Sequence, residues 1–262
     1  MYPMPEGKKF DLVVLIALEA LASALSLLFS LTFLPSTVLF LAIPTAYLAF
    51  RLRRRSQWPR IIAMGLVFGV WYGYLFAYLA DWNRIWAWPP ESLSWGWFLG
   101  VNGVEWLWVA LWILFIVLFY EHFVERDTAS GISRRVLWAV APAGVITTAI
   151  IAFTFWSPSF LTWSHAYAVL ALLTLVPAVV LVARNPRIVW KLALPGLFFI
   201  PLHVAYEATA LALNQWYFPG QYFGLVPLPG HTGVPVEEFV LWIVLGSFLV
   251  LSYYELYIDD GK

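Results

Sequence analysis

Eight stretches of this chain are long and apolar enough to cross a bilayer, and that fact leaves little room for any fold but a helical bundle. Their approximate extents are 11–33, 37–50, 61–80, 104–122, 136–156, 166–183, 192–213 and 236–257, the second being the shortest. In hydrocarbon every backbone N–H and C=O must be paired within protein, which only helices and closed barrels achieve. About 20 apolar residues of helix cover the core of a bilayer. Composition points the same way: of 262 residues 62% are hydrophobic and 11% charged, against about 25% charged in a soluble domain. The expected fold class is all-α, a polytopic membrane protein of about eight transmembrane helices, with the lipid bilayer as its first partner.

Several classes of function are excluded or disfavoured at once. The net charge is zero, and no basic block suggests nucleic acid. There is no cysteine, which removes disulfides, thiolate catalysis and cysteine-ligated metal. No GxGxxG or GxxxxGK[ST] pattern marks a nucleotide site. The N-terminal MYPMPEGKKF places two lysines before an apolar stretch, as a signal peptide would. That stretch contains Glu19 and ends at a proline without a clean cleavage site, so it is expected to remain as the first helix.

The polar connections alternate in charge. The N-terminus, residues 51–60, 125–135 and 184–191, and the C-terminus fall on one side and carry every Lys and Arg except Arg84. The positive-inside rule makes that side cytoplasmic, with both termini inside a multi-pass protein of the cell membrane.

Across a midpoint near residue 131 the two halves rhyme. DWNRIWAWPPE (81–91) parallels LNQWYFPGQ (213–221), and GVEWLWVALWILFIVLFYEHF (103–123) parallels PVEEFVLWIVLGSFLVLSYYELY (235–257). Four helices per half is an even number, so the expected arrangement is two parallel four-helix repeats, residues 1–131 and 132–262, with a cavity at their interface.

Acids inside apolar helices are costly and mark sites. Glu19 shares a stripe with Ser23, Ser26 and Ser30, at spacings of four, three and four, for which polar contact between helices is the plainest account. His203, Glu207 and Asn214 fall on one face of the seventh run, after Pro195 and Pro201, which are expected to kink it. Tyr74, Tyr78 and Asp81 form the corresponding face of the third. Glu105 heads the fourth run with Trp108 and Trp112 on its own face, and Glu237 and Glu238 head the eighth with Trp242 one turn below Glu238. A helix N-terminus favours a carboxylate by ~0.3–1 kcal/mol, which suffices for Glu105. It does not require two adjacent glutamates, which in an apolar site cannot both ionise easily, so one is expected to keep its proton. A protonated carboxyl beside aromatic faces can protonate an alkene, and the rings can stabilise the resulting carbocation.

In these residues the sequence resembles the small membrane lycopene cyclases of archaea, actinobacteria and fungi. Their hallmark is a Pro-x-Glu-Glu motif opening a transmembrane helix, here PVEE from Pro235 to Glu238. The resemblance is to the form with two tandem halves and spans nearly the whole chain, including DWNRIWAW and NQWYFP. The first half departs from the motif: it reads GVEW at 103–106, keeping Glu105 but lacking the proline and the second glutamate. The resemblance implies redox-neutral cyclisation of the acyclic ends of lycopene or a related linear carotenoid, with no cofactor and no metal. It implies Glu237 and Glu238 as the acid/base pair. Glu105, Glu207, Asp81 and His203 are candidates for positioning or proton relay. Trp108, Trp112 and Trp242 are candidates for stabilising the cation, with Pro235 and Tyr78 as further candidate substrate contacts.

Three rivals remain. The same fold could cyclise a C50 precursor or only one end. A retinal photoreceptor needs a buried lysine, but Lys8, Lys9, Lys191 and Lys262 all lie at or beyond the ends of runs. A proton-coupled transporter would use the intramembrane acids to carry protons. The sequence leaves monomer and homo-oligomer equally open.

Overall fold

Six helices of the computed structural model, which describes residues 5–52, 55–92, 95–125, 131–228 and 231–259, are long and apolar enough to cross a membrane. They are α1 (Glu6–Leu28), α2 (Phe33–Arg51), α3 (Trp58–Trp82), α4 (Gly103–Phe123), α5 (Val136–Trp156) and α6 (Ala166–Arg184). Two bent pairs bring the number to eight when each is one span. These are α7 (Pro186–Ala193 with Gly196–Ala212, bent by 48°) and α8 (Val236–Val244 with Gly246–Ile258, bent by 56°). The lengths and apolarity are those of a membrane protein. The linker residues 126–130 beside the midpoint, Arg53 and Arg54, and Lys262 lie outside the described residues.

Burial inverts the soluble pattern. On α1 the buried positions are Asp11, Leu15, Glu19, Ala22 and Ser26, one helical face. Phe10, Val13, Ile16, Leu21 and Leu28 project outward, as a lipid-facing surface requires. The central element is α4, with 61% of its most apolar window buried, whereas α5 has 17% and lies at the periphery.

Small residues bring α3 against α4. Gly65, Gly69 and Gly73 recur every fourth residue. A Cβ at Gly69 would meet the Ala110 Cα at 3.2 Å, and one at Gly73 would meet Val109 Cγ1 at 2.5 Å. Without a hydrophobic drive between helices in lipid, such close approach is what holds them together. Helix α2 is longer than the expected 37–50, because Pro35 fits its first turn and Pro44 is accommodated behind a π-helical stretch, Val38–Ala42. In α7 the bend falls at Leu194–Pro195, while Pro201 lies inside Gly196–Ala212 without ending it.

At one end of the bundle α3 and α7 stop in matching turns. Arg84 and Asn214 adopt left-handed φ of 52° and 53°, and the next N–H closes onto Ala80 and Ala210 respectively, each at 2.9 Å. Asn214 is thereby exposed and off the face of His203 and Glu207 where its spacing had placed it. The two following loops then join through an antiparallel bridge between Ala87 and Tyr217. Each loop continues into a short hairpin that feeds the next helix. Strands β1 (Trp97–Phe98) and β2 (Val101–Asn102) lead to α4, whose N-cap is Asn102, and β3 (Leu225–Leu228) and β4 (His231–Pro235) lead to α8. These hairpins are additions to the expected all-α reading.

Candidate active site

The loops and helix starts at this end enclose a cavity. Three carboxyl groups line it, Glu105 from α4, Glu207 from α7 and Glu238 from α8. The rest of its described wall is aromatic: Trp86, Trp88, Trp108, Trp216 and Trp242, with Phe33 and Phe218. Its volume is about 30 Å³, room for a water or two.

Each carboxyl is oriented by a single aromatic donor. Trp86 Nε1–H donates to Glu105 Oε1 at 3.0 Å, and Trp216 Nε1–H donates to Glu207 Oε1, also at 3.0 Å. The Tyr167 hydroxyl donates to Glu238 Oε2. None of the ion pairs among the described residues reaches these three acids. A buried acid without a cation is costly unless it is hydrogen-bonded or keeps its proton, so the site favours groups able to carry and release one.

Below the acids lies a packed indole cluster. Trp108 and Trp112 lie parallel at 6.1 Å, and Trp242 meets Trp112 edge-on at 4.4 Å and Trp108 at 5.3 Å. Trp112 does not line the cavity. It is held by His203, whose Nε2 accepts the indole N–H at 2.8 Å. An indole can only donate, so Nε2 is bare and the hydrogen sits on Nδ1, which faces the Ile243 carbonyl at 3.4 Å. His203 therefore positions Trp112 and does not touch the cavity.

The remaining candidates are distributed as follows. Glu237, next to Glu238, is buried but outside the cavity wall; its Oε1 accepts the Phe223 N–H at 3.0 Å and anchors the loop before β3. Asp81 is half-buried and outside the cavity wall, and its Oδ2 is buried with no hydrogen-bond partner among the described residues. Tyr78 turns away to Thr154 of α5, at 2.9 Å. Pro235 pairs with Leu225 in the hairpin and opens α8. Glu19 is buried with both oxygens unpartnered, while Ser23 and Ser26 on the same stripe bond Thr209 and Ser36. Phe33 and Tyr167 are site residues that the sequence reading missed, and no local signal distinguishes them. Trp86, Trp88, Trp216 and Phe218 lay within two segments already notable for their aromatics. Tyr222, in the loop beside the cavity, donates to the Ile85 carbonyl; burial pushes its hydroxyl up to about 12, so it remains a donor.

A second acidic cluster closes the opposite end. The carboxylates of Glu125, Glu255 and Asp259 lie close enough together to hold a metal ion. Their positive partners are already in place: Lys191 Nζ is 2.6 Å from Glu125 and 3.0 Å from Glu255, and Arg60 bonds Asp259.

Together the helices and this cavity define a class: a mostly helical membrane protein with carboxyl groups set in an aromatic-lined chamber. Comparison with protein-family models, with curated proteins and with solved structures finds no match for the chain.

Proposed function

We propose that the protein is a carotenoid cyclase that closes the acyclic ends of lycopene into β-ionone rings. The observation that carries this reading is the cavity, where acids without counter-cations face indole rings. A carboxylic acid gives its proton to C2 of the end group and leaves positive charge at C1. The C5=C6 bond attacks C1, closing the six-membered ring and moving the charge to C5. A carboxylate then takes the C6 proton and restores a double bond between C5 and C6. One proton enters and one leaves, so nothing is consumed. Indole faces stabilise a cation without offering a nucleophile, and exclusion of water protects it from capture. The PVEE motif contributes Glu238 to the cavity.

The two halves are proposed to be parallel repeats. Matching left-handed turns, the bridge between Ala87 and Tyr217, and a hairpin before each acid-bearing helix support this. The cavity end is proposed to be external and both termini cytoplasmic. Because the chain has no cysteine, single cysteines test that directly. Cysteine at the exposed Ser159 is expected to react with an impermeant maleimide on intact cells, and cysteine at the exposed Arg187 only after permeabilisation.

In its described shape the cavity is smaller than a ten-carbon end group, so binding must part its aromatic wall. Expression in a lycopene-accumulating bacterium tests the function. New β-rings in the extracted pigment are expected. Unchanged lycopene beside well-folded protein would return the transporter reading. That reading has less support, because Phe115, Phe119, Phe198 and Phe199 pack ring against ring in an apolar layer between the two acidic ends. One-end and C50 cyclisation are read from the same extract.

A further inference from the structure

The motif presents two adjacent glutamates, but neighbours in sequence do not share a helix face. Successive residues are about 100° apart around the axis, and only positions three or four apart meet on one side. Glu237 and Glu238 diverge accordingly. Glu238 faces the cavity, whereas Glu237 turns to the Phe223 N–H. A second carboxyl in that cavity comes from another helix. Glu207, from α7, lines the same cavity as Glu238.

The surroundings fit a matched pair. Glu207 and Glu238 are equally buried, at 7% exposure, and each has one oxygen tied to an aromatic donor, Trp216 or Tyr167. Neither of their second oxygens is sealed from the cavity, whereas the free oxygens of Glu105 and Glu237 are buried without a partner. Two carboxyls in one aromatic-lined chamber, each held by one oxygen and open at the other, meet the needs of a reaction that adds one proton and removes another about one bond angle away.

We propose that the catalytic acid/base pair is Glu207 with Glu238, contributed by α7 and α8, and that Glu237 is a positioning residue anchoring the loop at Phe223. This rests on the cyclase reading. Between them the pair supplies the proton that bonds to C2 and accepts the proton released from C6.

Glutamine variants isolate proton transfer, because the amide oxygen can still accept the Trp216, Tyr167 or Phe223 hydrogen. The test is pigment analysis of E207Q, E237Q and E238Q in lycopene-accumulating cells, normalised to the amount of folded protein in the membrane. General acid–base catalysis contributes roughly 10²–10⁴-fold, so E207Q and E238Q are each expected to lose at least about 100-fold in β-ring formation. E237Q is expected to stay within about 10-fold of the unaltered chain, because it keeps its hydrogen bond and loses no reacting group. Rings whose double bond forms toward C4 or the C5 methyl in E207Q or E238Q support the proposal, since they report a cation that formed without its C6 base. E207D, which keeps a transferable proton on a shorter arm, is expected to recover part of the activity. Normal β-ring output from E207Q, or loss in E237Q as deep as in E238Q, overturns the assignment. An unaltered chain that leaves lycopene untouched instead overturns the cyclase reading itself, and the two failures are therefore separable.

Discussion

At one end of the bundle Arg60, fully buried, meets Asp259 and lies 3.5 Å from Glu121, and Lys191 bridges Glu125 and Glu255. Tyr120 and Tyr254 complete that network by donating to Glu255 and Glu121. At the other end Glu105, Glu207 and Glu238 receive indole and phenol hydrogens but no cation. Both regions bury acids, and the difference lies in what compensates them. A paired carboxylate is committed to structure: removing its partner leaves a charge stranded in low dielectric. A carboxyl held only by neutral donors can exist in either protonation state and so can pass a proton. Counting buried acids would score the two ends alike; their partners tell them apart.

The comparison breaks most readily at Glu238. Changing it to Gln is expected to lower ring formation by about 10²–10⁴-fold, with thermal unfolding in detergent close to that of the unaltered chain; a large drop in melting temperature would mean that Glu238 is structural after all. The opposite outcome is expected at Arg60. Arg60→Met strands Asp259 and Glu121 and is expected to cost about 3–5 kcal/mol of stability. Its measure is the melting temperature and membrane yield, while turnover per folded molecule stays near normal. The smallest effect is expected at Trp112→Phe. It keeps a ring against Trp108 and Trp242 but leaves His203 Nε2 unpaired, a cost of about 1–3 kcal/mol, and lowers turnover only a few-fold. A loss as deep as that of E238Q would make Trp112 a substrate contact.

Much of the fold was legible in the sequence because the bilayer simplifies the problem. A run of about 20 apolar residues must pair its backbone within protein there, and α5 and α6 follow their runs almost residue for residue, whereas α1 covers Glu6–Leu28 in place of the expected 11–33, its turn falling at residues 29–32. What escaped were features set by contact. Two short hairpins, the Ala87–Tyr217 bridge and the bend at Leu245 depend on neighbours distant in the chain. The acids of the ionic end were passed over because Glu121, Glu125, Glu255 and Asp259 sit near helix ends, where a carboxylate needs no special account. Their burial follows from α4 and α8 meeting around Arg60 and Lys191.

The candidate site divides in the same way. Glu105, Glu207, Glu238, Trp108 and Trp242 were recognisable because polar or large aromatic side chains stand out in an apolar helix. Phe33 and Tyr167 were not, since a phenylalanine or tyrosine in such a chain is ordinary. The contacts of the other candidates come from the tertiary structure alone: His203 accepts the Trp112 indole hydrogen, as a positioning residue would, Tyr78 bonds Thr154 of α5, and Glu237 accepts the Phe223 N–H.

The sequence by itself determined that the chain is a bundle of membrane-length helices carrying acidic groups, because apolar runs of this length satisfy their backbone in hydrocarbon as helices and hydrocarbon tolerates few charges. Only the tertiary structure decided which acids share a chamber and which are neutralised. Whether a carboxyl meets an indole or a guanidinium is fixed by packing between helices, and no periodicity along a single helix carries that information.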